Sequence, residues 1–385
     1  MFSGSERIDV VVPIYKGQHY IKGIISQLEV CLDRMNGTID IGLVLVNDDP
    51  DDSFSSDCFS DSIEVMTVET GQNEGIHGAR VRGFSYCRGD YVIFLDQDDR
   101  LSGDYFMSQL KALGTADAVV CRAMNGERAF YDCDKRFEEL TSACSMFSAG
   151  NGILSPGQVL MRRKAVPRFW QEHILRCNGA DDWMLWLCML REGRRFARNQ
   201  EILYEHTLGS GNYSGSTFRM YQSEKEMYEV LEGQSYLDTE RRLQLGTAIQ
   251  RGIEARLKEL DRLKAVMDIY DTWTAAGRQS GAVVEMLKRK GCHAAAIYGM
   301  GKMGMRLYRE IGSGIEVKCF IDRNAAYLKA DIPVYTLDDD IPQVDLVIIA
   351  LADRENKISE EVSLRLHIPA IGIEDLLQGL LMVGE

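Results

Sequence analysis

Four short runs of β-branched and apolar residues constrain this chain more than anything else in it. They are "IDVVVPIY" (8–15), "IDIGLVLVNDD" (39–49), "IEVMTVE" (63–69) and "DYVIFLD" (90–96). Each is too short for a helix and is bounded by turn formers or acids, as a buried strand is. Between them lie stretches with helical spacing: 18–35, with Ile21, Ile24, Ile25, Leu28 and Leu32 on one face, and 75–89. Strand alternating with helix predicts a largely parallel sheet covered on both faces, an α/β fold. In such sheets ligands bind beyond the carboxyl ends of the strands. Acids cluster there, at 47–52 and again at Asp96, Asp98 and Asp99. Three carboxylates within four positions repel one another unless a cation sits among them.

The bulk numbers narrow the classes. With 385 residues, 45% of them hydrophobic, the chain is long enough for two cores. A formal charge of −14 argues against nucleic acid as a partner, while leaving room for a phosphorylated small molecule held through a metal. Ten cysteines show no C-x-x-C pair, so they read as free thiols in core positions. No signal-peptide core and no span-length apolar stretch is present, which leads to an expectation of a cytoplasmic protein, with peripheral membrane association left open. Residues 220–275 are rich in Glu, Arg, Lys and Leu and nearly free of breakers; they read as amphipathic helices that connect and pack, with homodimerisation as a further option. The strand–helix pattern restarts after about residue 280, in "HAAAIYGMGKMGMRLYREI", "IEVKCFID", "VDLVIIAL" and "IPAIGI". The expected organisation is therefore a first domain at 1–219, a helical connector at 220–279 and a second, smaller Rossmann-like domain at 280–385.

Four ordered blocks carry a resemblance. "VVPIYKGQHYI", "VLVNDDPDDSF", "NEGIHGARVRGFSYCRGDYVIFLDQDD" and "NGADDWMLWLCMLREGRRFARNQEILYEH" are similar to the successive signatures of family 2 glycosyltransferases of the GT-A fold. The likeness covers about residues 5–215. It implies an inverting transfer of a sugar from a nucleotide-diphosphate donor, a UDP-sugar by the usual pattern, to a hydroxyl of a glycan or lipid-linked acceptor. It implies Mn²⁺ or Mg²⁺ as cofactor, with Asp98 as direct ligand, Asp96 on the metal or the ribose, Asp99 assisting through water and His206 completing the shell. Hard oxygen ligands suit those ions, which neutralise a departing diphosphate. Pro13, Tyr15 and Asp48 would form the base pocket, although "NDDPDDS" is shorter than the family's usual turn here. Arg80 would face the diphosphate. Asp182 would be the general base, with Asp181 beside it in place of the family's usual Glu. The Gly/Ser-rich stretch 209–216 would act as a flap over the donor, and 148–166 would shape the acceptor side.

A second glycine signature, Gly299, Gly301 and Gly304, lies between an apolar strand and a helix, with Asp322 ending the next strand. That is the context of a dinucleotide-binding turn. The stretch also resembles the nucleotide-sugar-binding domain of PglD-type sugar acetyltransferases. Three readings follow for it: a scaffold, a nucleotide or nucleotide-sugar site, or an NAD-dependent sugar-nucleotide oxidoreductase. A non-catalytic nucleotide-sugar-binding protein is the remaining alternative for the whole chain.

Overall fold

The computed structural model describes residues 6–54, 59–126, 128–131, 134–207, 217–276, 281–352 and 357–381. The stretch 209–216, expected above to form a flap, lies outside them. The chain divides into two compact units between Ala255 and Arg256.

The first unit is built on one mixed sheet with nine strands among the described residues. These are β1 (Glu6–Ile14), β2 (Ile39–Asn47), β3 (Glu64–Glu69), β4 (Tyr91–Phe94), β5 (Arg100–Leu101), β6 (Ala118–Asn125), β7 (Arg128–Ala129), β8 (Val159–Arg162) and β9 (Phe196–His206). Their order is β3-β2-β1-β4-β8-β6-β9-β5, with β7 on β6. The first four are mutually parallel, with Val10 opposite Leu43 on one side and Ile93 on the other. Here the sheet departs from a simple parallel expectation: β8 runs antiparallel between β4 and β6. β9 returns parallel to β6.

The helices of this unit are α1 (Ile21–Arg34), α2 (Gly75–Phe84), α3 (Tyr105–Leu113), the short α4 (Asp134–Glu139), α5 (Ala143–Ser148) and α6 (Arg168–Glu172), then α7 (Asp181–Arg191) and α8 (Thr217–Gly233). They cover both faces of the sheet, which is why β1 reads as an unbroken apolar run. Val11, Val44, Val92 and Phe94 pack into one core with Trp170, Trp183 and Trp186; Val10, Val12, Leu43 and Ile93 pack into the other with Leu28 and Phe106. The helix α9 (Thr239–Ala276) runs across the division between the units.

The second unit has a five-stranded parallel sheet in the order β12-β11-β10-β13-β14. Its elements are α10 (Ala282–Arg289), β10 (Ala294–Tyr298), α11 (Lys302–Ile311), β11 (Glu316–Ile321), β12 (Val334–Tyr335), β13 (Leu346–Ile349), α12 (Lys357–Leu366), β14 (Ala370–Gly372) and α13 (Ile373–Leu381). Among the described residues, eight cysteines are free thiols and no helix is long and apolar enough to cross a membrane.

Candidate active site

The order β2-β1-β4 sets three strand ends side by side, and the acids follow directly from them. Tyr15 leaves β1, Asp48 leaves β2 and Asp96 leaves β4 by way of Leu95. Pro13 pairs with Val46 inside the sheet, whereas the Tyr15 ring is 44% exposed. Gln97 locks the ends of β1 and β4 together. Its Oε1 accepts from the Tyr15 N–H at 3.0 Å, and its Nε2 donates to the Tyr15 carbonyl at 3.2 Å. The Asp48 side chain is buried, and its Oδ1 accepts the Glu74 N–H at 2.7 Å, which ties the end of β2 to the start of α2. Burial raises the Asp48 carboxyl above its ordinary value. Asp49, also buried, instead caps its own turn by accepting the Asp51 N–H at 3.2 Å.

Arg80 joins two segments of the site that lie far apart in sequence. It sits on α2 at 3% exposure, with Nη1 on Asp181 Oδ2 at 2.6 Å and Nη2 on Asp96 Oδ1. Arg80, expected to face the diphosphate, is a buried cation between two acids. Burial alone lowers a guanidinium pKa, but the fields of Asp181, Asp96 and Asp182 outweigh it and hold Arg80 charged. The second Asp96 oxygen accepts from Ser155 Oγ at 3.1 Å, so both its oxygens are engaged within the protein.

Asp182 occupies the first turn of α7, where backbone N–H groups favour an anion. Its Oδ1 accepts the Trp183 N–H at 2.6 Å and its Oδ2 accepts Asn151 Nδ2 at 3.0 Å. The Ile153 N–H, donating to Asn151 Oδ1 at 3.1 Å, fixes which end of that amide faces the acid. Burial first, then the neighbouring Asp181 carboxylate, push Asp182 up to about 7; Arg80, Trp183 and Asn151 pull the other way. The start of α7 is pinned by Trp170, whose Nε1 donates to the Asp181 carbonyl at 2.8 Å. His77 holds Trp170 in turn, through its Nε2 on the Trp170 carbonyl at 3.1 Å, while its Nδ1 accepts the Leu175 N–H at 2.9 Å. One donor and one acceptor nitrogen make a neutral imidazole, and burial lowers its pKa accordingly. From α8, Ser223 Oγ accepts the Ala180 N–H at 2.9 Å, and Glu226 accepts the N–H groups of Arg176 and Cys177.

Asp98 and Asp99 separate in role. Asp99 is buried and accepts from Tyr204 Oη, from the Thr207 N–H at 2.9 Å and meets His206 Nδ1 at 3.0 Å. It therefore anchors the end of β9 directly. A histidine whose Nδ1 faces a carboxylate has its Nε2 as the nitrogen a metal can take. Asp98 is half-buried, raised first by burial and next by Asp99, and its carboxylate is bonded to no other described side chain. Among the described residues no three His, Cys, Asp or Glu side chains come together as a metal cage. Asp98 and His206 nonetheless suit the way Mg²⁺ and Mn²⁺ are usually held beside phosphates, by one or two protein ligands with the substrate supplying the rest. Asp96, with both oxygens engaged, fits that set less well than the sequence pattern implied.

In the second unit Gly299 has φ +93, a conformation open to glycine, and its N–H donates to the Ile321 carbonyl at 2.8 Å. A Cβ at Gly304 would stand 2.0 Å from the Gly299 carbonyl oxygen, so α11 can approach the turn only without one. Around Gly301 there is open space. Asp322 accepts the Met300 N–H at 3.0 Å and the Asn324 N–H at 2.9 Å, closing the turn on itself.

Sequence reasoning singled out none of Gln97, Asn151, Ser155 or Tyr204. Gln97 stands at the position a D-x-D pattern leaves arbitrary; Asn151 and Ser155 lie in the 148–166 stretch and Tyr204 in the fourth block, but no residue spacing marks them individually.

A mixed sheet whose parallel half carries acids at adjacent strand ends, with helices around it, is a GT-A-like, Rossmann-type α/β arrangement. Residues 9–168 match the model of the family "Glycosyl transferase family 2". Glycosyltransferase GlyA of Streptococcus pneumoniae serotype 4 is 30% identical over 112 residues, 28% of this chain and 15% of that protein. An uncharacterized glycosyltransferase of Haemophilus influenzae is 26% identical over 213 residues, 53% of this chain and 77% of that one. Staphylococcus aureus TarS 1–349 in complex with UDP-GlcNAc aligns with 64% of this chain and 73% of its own, at 15% identity and a TM-score of 0.47. The alignment with GlyA thus covers well under two thirds of that relative.

Proposed function

We propose that this protein is a metal-dependent, inverting glycosyltransferase that moves a sugar from a nucleotide-diphosphate donor, a UDP-sugar, to a hydroxyl of a glycan or lipid-linked acceptor. The observation that carries the reading is Asp182, a buried carboxylate raised to about 7 and joined through Asp181 and Arg80 to the acids at the end of β4. A base poised near neutrality takes a proton most effectively from a hydroxyl as that hydroxyl attacks. In this reading Asp182 Oδ2 receives the acceptor proton, with the Asn151 amide orienting the carboxylate. Arg80 pairs with Asp181 and Asp96, while Asp182, outside those ion pairs, is raised to about 7. Tyr15, Pro13 and Asp48 line the end of the sheet where the base and ribose would lie, with Asp96 toward the ribose. Asp98 and His206 would hold Mn²⁺ or Mg²⁺, which neutralises the charge growing on the leaving diphosphate. The match of residues 9–168 to the family 2 model supports sugar transfer; the donor class, the metal and the inversion rest on the residues just named.

For the second unit, the glycine turn at Gly299–Gly304 supports binding of a nucleotide or nucleotide-sugar, with Asp322 shaping the turn. Its likeness to the PglD-type domain is part of the same reading.

The test is donor binding and transfer with the full chain. UDP-sugars with Mn²⁺ should stabilise the protein and be turned over, and Asp98→Asn should remove the metal dependence of donor binding. Equal turnover by the Asp98→Asn variant sinks the metal assignment. Stabilisation by NAD in place of UDP-sugars would shift the function to the second unit.

A further inference from the structure

Tyr15 stands one residue past the end of β1, at the start of a turn that is costly to hold. The next residue, Lys16, has φ +53, in the left-handed region that a lysine enters only at a cost. Gly17 follows with φ −121, which any residue adopts. Yet a Cβ there would stand 2.0 Å from Gln97 Oε1, and the three atoms nearest to it all belong to the Gln97 side-chain amide. Glycine is therefore required at 17 by Gln97 and not by the turn. With that space open, Gln97 Oε1 accepts the Tyr15 N–H at 3.0 Å and its Nε2 donates to the Tyr15 carbonyl at 3.2 Å. An amide can do both; a carboxylate at this position could only accept. The side chain thus carries the join of β1 to β4 beyond the backbone bond from the Leu95 N–H to the Val11 carbonyl.

The post on which Gln97 stands is itself fixed. Asp96 before it is held by Arg80 and by Ser155 Oγ, and Asp99 after it by Tyr204 and by the Thr207 N–H. The Asp99 N–H closes the turn on the Asp96 carbonyl at 3.2 Å. The segment 96–99 is therefore the part that positions, and 15–17 the part that is positioned.

We propose that Gln97 is a positioning residue of the donor site, which holds the Tyr15–Gly17 turn and so sets the Tyr15 ring for the base of a uridine nucleotide. This rests on the reading of Tyr15 as part of the base pocket. The gain is pre-organisation: a turn held before the nucleotide arrives has little freedom left to lose on binding.

Calorimetry with UMP in the absence of metal, and hydrogen exchange across residues 15–20, both on the full chain, give the test. Gln97→Met keeps the length of the side chain and loses both hydrogen bonds. It should weaken UMP binding about tenfold, as two bonds of this kind allow, and speed exchange across the turn. Gly17→Ala should do the same, because its Cβ displaces the amide, and the double variant should be no worse than either single one. The loss from Gln97→Met should be smaller in a Lys16→Asn background, since asparagine tolerates the left-handed region unaided. Melting curves of each variant separate these effects from unfolding. Unchanged exchange in Gln97→Met overturns the clamp, and additive losses from Gly17→Ala and Gln97→Met overturn the link between them. A loss seen with UDP and Mn²⁺ but not with UMP alone overturns the base-side role and assigns Gln97 to the metal turn. A wild-type chain that binds neither UMP nor UDP overturns the donor reading and the donor role of Gln97 with it; faster exchange in Gln97→Met then tells that failure from a failure of the clamp.

Discussion

Asp182 illustrates how burial and partners divide the work at single residues. Its carboxyl is raised to about 7 by burial and by Asp181, so the folded state binds a proton there between the ordinary value near 4 and 7, where the unfolded chain does not. Stability from this group is therefore present at low pH and lost as pH rises toward 7. We expect Asp182→Asn to raise the melting temperature at pH 8, by the equivalent of about 1–3 kcal/mol, and to change it little at pH 5. The same substitution should cut sugar transfer about 10²–10⁴-fold with donor affinity retained, measured by initial rates and by titration. In the wild type the rate should climb as pH rises through about 7, because the base acts only when deprotonated. Asn151 stabilises the ionised form, so Asn151→Leu should move that midpoint upward by about one unit. A purely structural role for Asn151 predicts a lower rate with an unmoved midpoint. Asp182 was visible in the sequence through its block; Asn151 was not, because a lone amide in a loop carries no pattern.

At the scale of elements, α2 shows what close approach requires. A Cβ at Gly83 would lie 2.4 Å from Val11 Cγ1 and 2.8 Å from Val46 Cγ2, both of them buried in the sheet. Gly83→Ala should therefore cost about 1–3 kcal/mol in denaturant unfolding, since neither valine has room to turn away. The displacement would also disturb Arg80, three residues earlier on the same helix, so donor binding should weaken in parallel. The strands β1 to β4 and the helices around them were legible, because apolar runs and helical spacing are local signals. The antiparallel insertion of β8 was not: a four-residue strand, Val159–Arg162, has too little periodicity to declare a direction, and its pairing is decided by what the other strands leave open.

For the whole molecule, a ligand that binds only the folded state stabilises by mass action. UDP with Mn²⁺ at one hundred times its dissociation constant should add about 2.7 kcal/mol, and either component alone should add less, in a thermal shift experiment. That difference tests the proposed joint site of Asp98 and the donor. The sequence by itself determined the α/β alternation, the restart of the pattern after about residue 280 and the placing of Asp48, Asp96 and Asp98 at or just past strand ends, since each follows from the order of residues along a local element. Only the tertiary structure decided that Arg80 lies buried between Asp96 and Asp181, that Asp99 holds His206 and Tyr204 while Asp98 stays available, and that Asn151 reaches Asp182. Those contacts join segments up to 107 residues apart. A charge pattern can name the acids, but which of them is paired, raised or left open depends on burial and on neighbours that no stretch of sequence contains.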